Sequence, residues 1–437
     1  YSKSIFDHSI IADDNGNKTH FFSNFQSEKE NSIEINIETT SNKNYLKKYD
    51  IKSPTVKNQS NLNSFASFEN SNENYYLSTS IEVFEDLTKR DSDSYEYIYP
   101  NYLFSKDLKK IEKGDLNFST YGFQKKYDTN KYDGLIVNDL LFESISSISN
   151  NGFKNDYSFI FKNVNSDGDR SDNYKNGTDN KILTGLMFNS RLPMVKIIDD
   201  KTQFLTPIIS ARFSPSETKD ISNEQDRMNY LNLFNFDRLN KNDMIEGGES
   251  ITIGGNYQLV NKGINLFEFS AGQIFRLSKN QDLPEISALN EKRSDVIGNL
   301  EFSPNNNFNI NYAFSADNDL NDINYNFIET DFYVNNFVTS FKFLDSKSNF
   351  GDKSFISNTS KYNLNNNNSF SFSTNKNLDI NFTEYYDLIY EYKNDCFAAA
   401  VEYKKTYYND VDLNPDENIF FSIKIIPFGN INTPNLN

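Results

Sequence analysis

The chain has no tryptophan, one cysteine, two histidines and four methionines in 437 residues. A single cysteine closes no disulfide within the chain, so Cys396 is either a free thiol or the partner of a cysteine elsewhere. Two histidines, His8 and His20, are too few for a histidine-rich metal centre, and their place in hairpin-like segments reads as surface or interior histidines of a wall. No run approaches the ~18 apolar residues that a membrane-spanning helix needs. That excludes a helical membrane protein but not a barrel, whose strands need an apolar side chain only at every second residue. There is no basic excess: 44 lysines and arginines face 61 acidic residues, for a net charge of -17. A nucleic-acid partner is excluded on that ground. The acidic excess reads as solvated loops, with divalent cations bridging to phosphorylated lipid as the functional alternative. Gly-x-Ser-x-Gly, Walker-type and HExxH patterns are missing, and with them the common hydrolase, nucleotide and zinc-protease chemistries. No cofactor or metal site and no enzyme activity is expected. No repeat of 20–50 residues is evident, which argues against propellers and solenoids. The chain opens without an initiator methionine or a signal-peptide pattern, and is expected to be a fragment whose N-terminus lies upstream.

What the chain has in abundance is Phe (39) and Tyr (27), residues that favour strands and membrane-interface girdles. They recur with period 2. Ile33, Ile35 and Ile37 alternate with Glu34, Asn36 and Glu38. Phe308, Ile310, Tyr312 and Phe314 alternate with Asn309, Asn311, Ala313 and Ser315. Ile323, Tyr325 and Phe327 alternate with Asn324 and Asn326, and Phe421, Ile423 and Ile425 with Ser422 and Lys424. Alternation places one set on each face of a strand. An apolar face backed by Asn or Lys suits a wall with lipid outside and water inside. Asn309, Asn311, Asn324, Asn326 and Lys424 are therefore candidates to face a lumen. Roughly twenty such strands of about 9–13 residues predict an all-β fold: a large antiparallel transmembrane β-barrel occupying residues 1–437 as one domain.

An Asn-Gly turn between 1–11 and 19–27 predicts a hairpin. Residues 44–51 read as a short turn or half-strand, and 163–178 as a polar loop. Residues 132–149 have a helical alternative, with strands and a turn preferred. Pro100 argues for an edge, a bulge or a strand start. The asparagine runs alternate with aromatics and read as turns and lumen filler, not as prion-like tracts. Two acidic stretches imitate calcium loops and fail: Pro415 replaces the required glycine after Asp410, Asp412 and Asn414, and Asp167-Gly-Asp169 lacks a closing glutamate.

Two regions carry a resemblance. The C-terminal run YYDLIYEYKNDCFAAAVEYKKTYYNDVDLNPDENIFFSIKIIPFG (385–429) resembles the C-terminal end of the LptD family of lipopolysaccharide-assembly proteins. In the middle, SRLPMVKII (190–198) and FLTPIISARFSP (204–215) precede a loop with Phe234, Arg238, Asp243 and Gly247, then the Gly272-Gln273 strand, in the order that family shows. Lys241 and Met244 stand where the family has a glycine and an arginine. The likeness is strong from about Leu192 and looser before it.

The resemblance implies a C-terminal barrel domain preceded by a periplasmic jelly-roll, integral to the Gram-negative outer membrane. It implies a lipoprotein plug (LptE-like) in the lumen, a periplasmic bridge protein that delivers lipopolysaccharide, and contact with outer-membrane lipid. Cargo would pass through the lumen and leave by a lateral gate built partly from the last strand: Phe421, Ser422, Ile423, Lys424, Ile425 and Pro427. The family joins a cysteine at the Cys396 position to its N-terminal periplasmic domain. A different outer-membrane barrel, such as a porin or receptor, and a soluble β-rich adhesin remain open at this point.

Overall fold

The computed structural model describes residues 2–13, 16–28, 31–48, 60–89, 91–111, 113–348, 351–407, 416–425 and 429–432. The first strands are β1 (Ser2–Asp13), β2 (Gly16–Glu28), β3 (Asn31–Thr40), β4 (Asn61–Ser71), β5 (Tyr75–Asp86), β6 (Tyr95–Ile111), β7 (Gly114–Tyr127) and β8 (Lys131–Ser144). They are followed by β9 (Ser147–Ile148), β10 (Lys154–Asp169), β11 (Gly177–Arg191), β12 (Met194–Ile198), β13 (Lys201–Ser214), β14 (Gly248–Asn261), β15 (Ile264–Arg276) and β16 (Val296–Asn305). The last are β17 (Phe308–Ala316), β18 (Ile323–Val334), β19 (Phe337–Ser346), β20 (Lys353–Asn363), β21 (Asn368–Asn377), β22 (Phe382–Lys393), β23 (Phe397–Thr406), β24 (Asp416–Ile425) and β25 (Gly429–Asn432). One turn of helix, α1 (Tyr45–Lys48), interrupts the series.

All strands join one antiparallel meander, with short β9 continuing the line of β8 and β12 that of β11. Among the described residues no pairing links β1 to β24 or β25. Connections alternate: tight turns such as Lys262-Gly263 and Asn335-Asn336 at one end, longer segments such as 215–247 and 277–295 at the other. That asymmetry is the one outer-membrane barrels show between their two ends.

The sheet must curl. Lys162 on β10 donates to the carbonyl of Asn242 (2.6 Å), while the Arg227 guanidinium lies over the Tyr325 ring on β18 (5.5 Å). Both loop residues flank one packed cluster holding Met228, Leu233, Leu239 and Met244. In a flat sheet β10 and β18 would stand about 34 Å apart at the usual strand spacing, so the wall wraps around this loop.

Polarity is inverted relative to a water-soluble protein. Ile209, Ile251, Ile253, Phe341 and Phe421 are exposed, whereas Ser210, Arg212, Thr252 and Ser270 are buried. Directly opposed residues share a face, and register carries the apolar outer set from β15 onward: Phe269 with Leu300, Leu300 with Tyr312, Tyr312 with Ile328 and Ile328 with Phe343. A wall with apolar residues outside and polar residues inside is an antiparallel β-barrel of the transmembrane type.

Three local readings are corrected. Residues 45–48 form helix α1, because Tyr45 and Leu46 are drawn onto Phe22, Leu62 and Leu87 as a small apolar cluster. Strand β10 runs on to Asp169, since Asp167 pairs with both Gly134 and Thr178, so the 163–178 loop shrinks and the Asp167-Gly-Asp169 stretch is strand. Tyr325 and Phe327 lie on the inner face, opposite Ser315 and Ala313. Segment 131–144 is strand, and a register shift marks a bulge at Pro100, which follows a cis peptide bond.

Candidate functional site

The segment 215–247, between β13 and β14, folds back into the barrel. Its turn forms because Asn229 and Asn232 each accept the other's backbone N–H (both 3.1 Å). The turn presents Leu233 and Phe234 to the wall, where glycines make room. A Cβ on Gly272 would lie 2.6 Å from Leu233 Cδ2, and one on Gly254 2.9 Å from Phe234 Cζ. Leu233 is fully buried with Met228, Leu239, Ile274, Leu283 and Leu289.

Behind this cluster lies a charge centre. Glu246 is 4% exposed and faces three buried guanidiniums. Arg238 Nη1 donates to Glu246 Oε1 (3.3 Å), and its Nη2 donates to Ser250 Oγ (3.1 Å) and Thr252 Oγ1 (3.2 Å). Arg276 bonds Glu246 directly and donates Nη2 to the carbonyl of Gly247 (2.6 Å). Arg212 Nη1 stands 3.3 Å from Glu246 Oε2, yet none of its guanidinium nitrogens makes a hydrogen bond. Burial works against the Glu246 charge, and Arg238, Arg212 and Arg276 overcome it, holding its carboxyl below the usual range. Burial also pulls Arg238 down to about 10, against the pull of Glu246.

Further ties hold the loop. Asp243 accepts from Lys219 Nζ (2.6 Å) and from the Tyr174 hydroxyl (3.1 Å). Burial, then the Asp243 charge, raises the Tyr174 phenol. Lys162 Nζ, itself buried, also donates to Asp139 (2.5 Å). A Cβ on Gly247 would meet the Ser216 carbonyl at 2.2 Å, which only glycine avoids. Beside the loop, toward the tight-turn end, a cavity of about 520 Å³ is lined by Asp156, Ser158, Asn189, Arg191 and Phe234 among others.

The four motif residues read from the sequence, Phe234, Arg238, Asp243 and Gly247, thus converge on one luminal loop. Asn309 accepts from Ser303 Oγ (2.6 Å) on the inner face, and Asn311 opposes Glu301 and Glu329 there. Asn324 donates to the buried Asp295 (2.9 Å), which also accepts from Ser315. Asn326 is a correction: it opposes Phe314 and accepts from the Tyr312 hydroxyl (2.8 Å), so it lies on the outer face. The cause is a register shift at Ser315/Ala316, which resets the phase of β18. On β24, Phe421 and Ile423 are exposed (45% and 50%) and Ser422 is half-buried; Lys424 and Ile425 pair with Ala398 and Phe397. The last-strand reading is corrected: β25 follows and pairs with Ser422, Ile423, Lys424 and Ile425 through Asn432, Ile431, Asn430 and Gly429. Pro427 and the 410–415 connection lie outside the described residues. Cys396 is an exposed thiol in the tight turn between β22 and β23.

Arg212, Glu246 and Arg276 were not singled out from the sequence. The available signal was an arginine at an inward position of two strands, Ser210-Ala-Arg212 and Ile274-Phe-Arg276, where alternation predicts small polar residues.

Solved structures similar to this chain include the siderophore receptor PirA from Acinetobacter baumannii, with 7% identity over 93% of this chain and 73% of that one, at a TM-score of 0.39. They also include the ferric-catecholate import receptor Fiu from E. coli K12, with 10% identity, 90% and 79% coverage and a TM-score of 0.34. Such distant likenesses say nothing about cargo. No curated protein matches the chain. The family model for LPS transport system D, LptD, matches residues 19–349, which include the 215–247 loop and the strands it packs on but not Cys396, β24 or the rest of the 385–429 run. The chain therefore belongs to the LptD family, whose members are outer-membrane β-barrels of lipopolysaccharide transport.

Proposed function

We propose that this chain forms the outer-membrane wall through which lipopolysaccharide reaches the outer leaflet. The sugars travel in the polar lumen, and the acyl chains leave sideways through a seam at the terminal hairpin, in which β25 pairs with residues 422–425 of β24. The observation that carries this reading is the two-faced wall of a family-matched chain, with Ser422 half-buried between Phe421 and Ile423, which are exposed. Closing a barrel pairs its terminal strands and removes their edges. An LptE-like lipoprotein occupies the lumen, and a periplasmic bridge protein delivers cargo by way of an upstream domain. The driving energy comes from an inner-membrane ATPase, and the chain performs no bond chemistry.

Locking the seam tests this. In the full-length protein, a disulfide from Phe420→Cys, on β24 ahead of the stretch that pairs with β25, to the first strand of the barrel should stop lipopolysaccharide from reaching the cell surface, with export restored by reductant. Normal export with the lock in place would refute the lateral route. Cys396, exposed on the tight-turn end, is the proposed partner of an upstream cysteine. It should resist alkylation until the full-length protein is reduced; ready alkylation beforehand would remove that pairing.

A further inference from the structure

Resting on the reading just given, we propose that the cavity beside the luminal loop is a recognition subsite for an uncharged, hydroxyl-rich stretch of the glycan. Three features of the cavity point to that ligand. The first is size: about 520 Å³ falls in the range of small-molecule sites and holds a few sugar rings.

The second is an unused acceptor. Asn189 is 6% exposed, and its Nδ2 donates to Asp156 Oδ1 (3.0 Å), which fixes the amide orientation. Its Oδ1 then has no partner. A buried carbonyl oxygen left unpaired calls for a donor such as a hydroxyl. Arg191 Nη2 holds the other Asp156 oxygen (2.9 Å), so the carboxylate and amide are set in fixed positions. Planar polar groups so fixed suit adjacent hydroxyls, and Phe234 supplies an apolar surface for a ring face.

The third feature is charge. Asp115, Glu143 and Asp156 line the cavity against the single cation of Arg191. That balance repels phosphate and leaves neutral sugar as the favoured occupant.

The test places photoreactive benzoylphenylalanine in the full-length protein at Asn235, on the cavity lining, or at Asn311, on the inner wall away from it. Lipopolysaccharide adducts are expected at both positions in cells. Asn189→Ala should lower the adduct at position 235 about tenfold, the loss expected for one hydrogen bond of this kind, and leave position 311 unchanged. An adduct at 311 alone would overturn the subsite and leave the luminal route standing. No adduct at either position would overturn both. An adduct at 235 indifferent to Asn189→Ala would remove the recognition role. These 437 residues hold no tryptophan, so Phe234→Trp adds one fluorescent reporter for the ligand class, read as the difference from the unsubstituted full-length protein. Oligosaccharide released from lipopolysaccharide by mild acid should perturb it more strongly after dephosphorylation than before. Equal or stronger binding of the phosphorylated form would contradict a neutral-glycan site.

Discussion

Glu246 is the residue on which the luminal loop turns. It is the one carboxylate among three buried guanidiniums, so its loss leaves like charges unscreened. Glu246→Ala should destabilise the loop by about 3–5 kcal/mol, the usual effect of breaking a buried pair from one side. Arg212→Met removes surplus charge and a guanidinium with no hydrogen bond, and should be neutral or mildly stabilising. Protease cleavage within 215–247 reads both. The same residue sets a pH limit. Its carboxyl is depressed in the folded state, so its contribution is complete above the ordinary glutamate pKa of ~4.3 and is lost as pH falls through the lower, folded value. Loop protection should hold from neutral pH down to that region and fail below it, while Glu246→Gln should lack this acid step. None of this centre was legible in the sequence beyond Arg238. Arg212, Glu246 and Arg276 are 30 or more residues apart, and strand register brings them together: Arg212 on β13 and Arg276 on β15 both oppose Ser250 on β14, just after Glu246.

At the scale of elements, alternation was the readable quantity. It predicted the two faces of β3, β17 and β24 because period 2 is local and needs no knowledge of the neighbours. It misplaced Asn326 because a one-residue bulge flips every later side chain, and because the inner wall near the loop tolerates aromatics: Tyr325 receives Arg227. The docking of the loop on glycines gives a test. Gly272→Ala puts a methyl 2.6 Å from Leu233 Cδ2 and should destabilise the loop by about 1–3 kcal/mol, as overpacking does. In a Leu233→Ala background the same change should cost less, because the clashing atom is gone. A double-mutant cycle on loop proteolysis measures that coupling; strict additivity would mean that Leu233 does not dock where described.

For the whole molecule, the fold class was legible from what the chain lacks and from its alternating aromatics, since a lipid-facing wall needs neither a helical span nor a conventional apolar core. The luminal loop was legible only as a string of family-like residues; its fold follows from contacts with both sides of the wall. The central claim is that apolar residues face lipid while their immediate neighbours face water. Adjacent residues Ile310 and Asn311 on β17 test it most directly. Each is replaced in turn by cysteine, labelled with a fluorophore after Cys396 and any upstream cysteine are changed to serine, and reconstituted in liposomes. Brominated lipid should quench the label at 310 and spare 311, and aqueous iodide should do the reverse. Equal quenching at both positions, or the opposite pattern, would contradict the account.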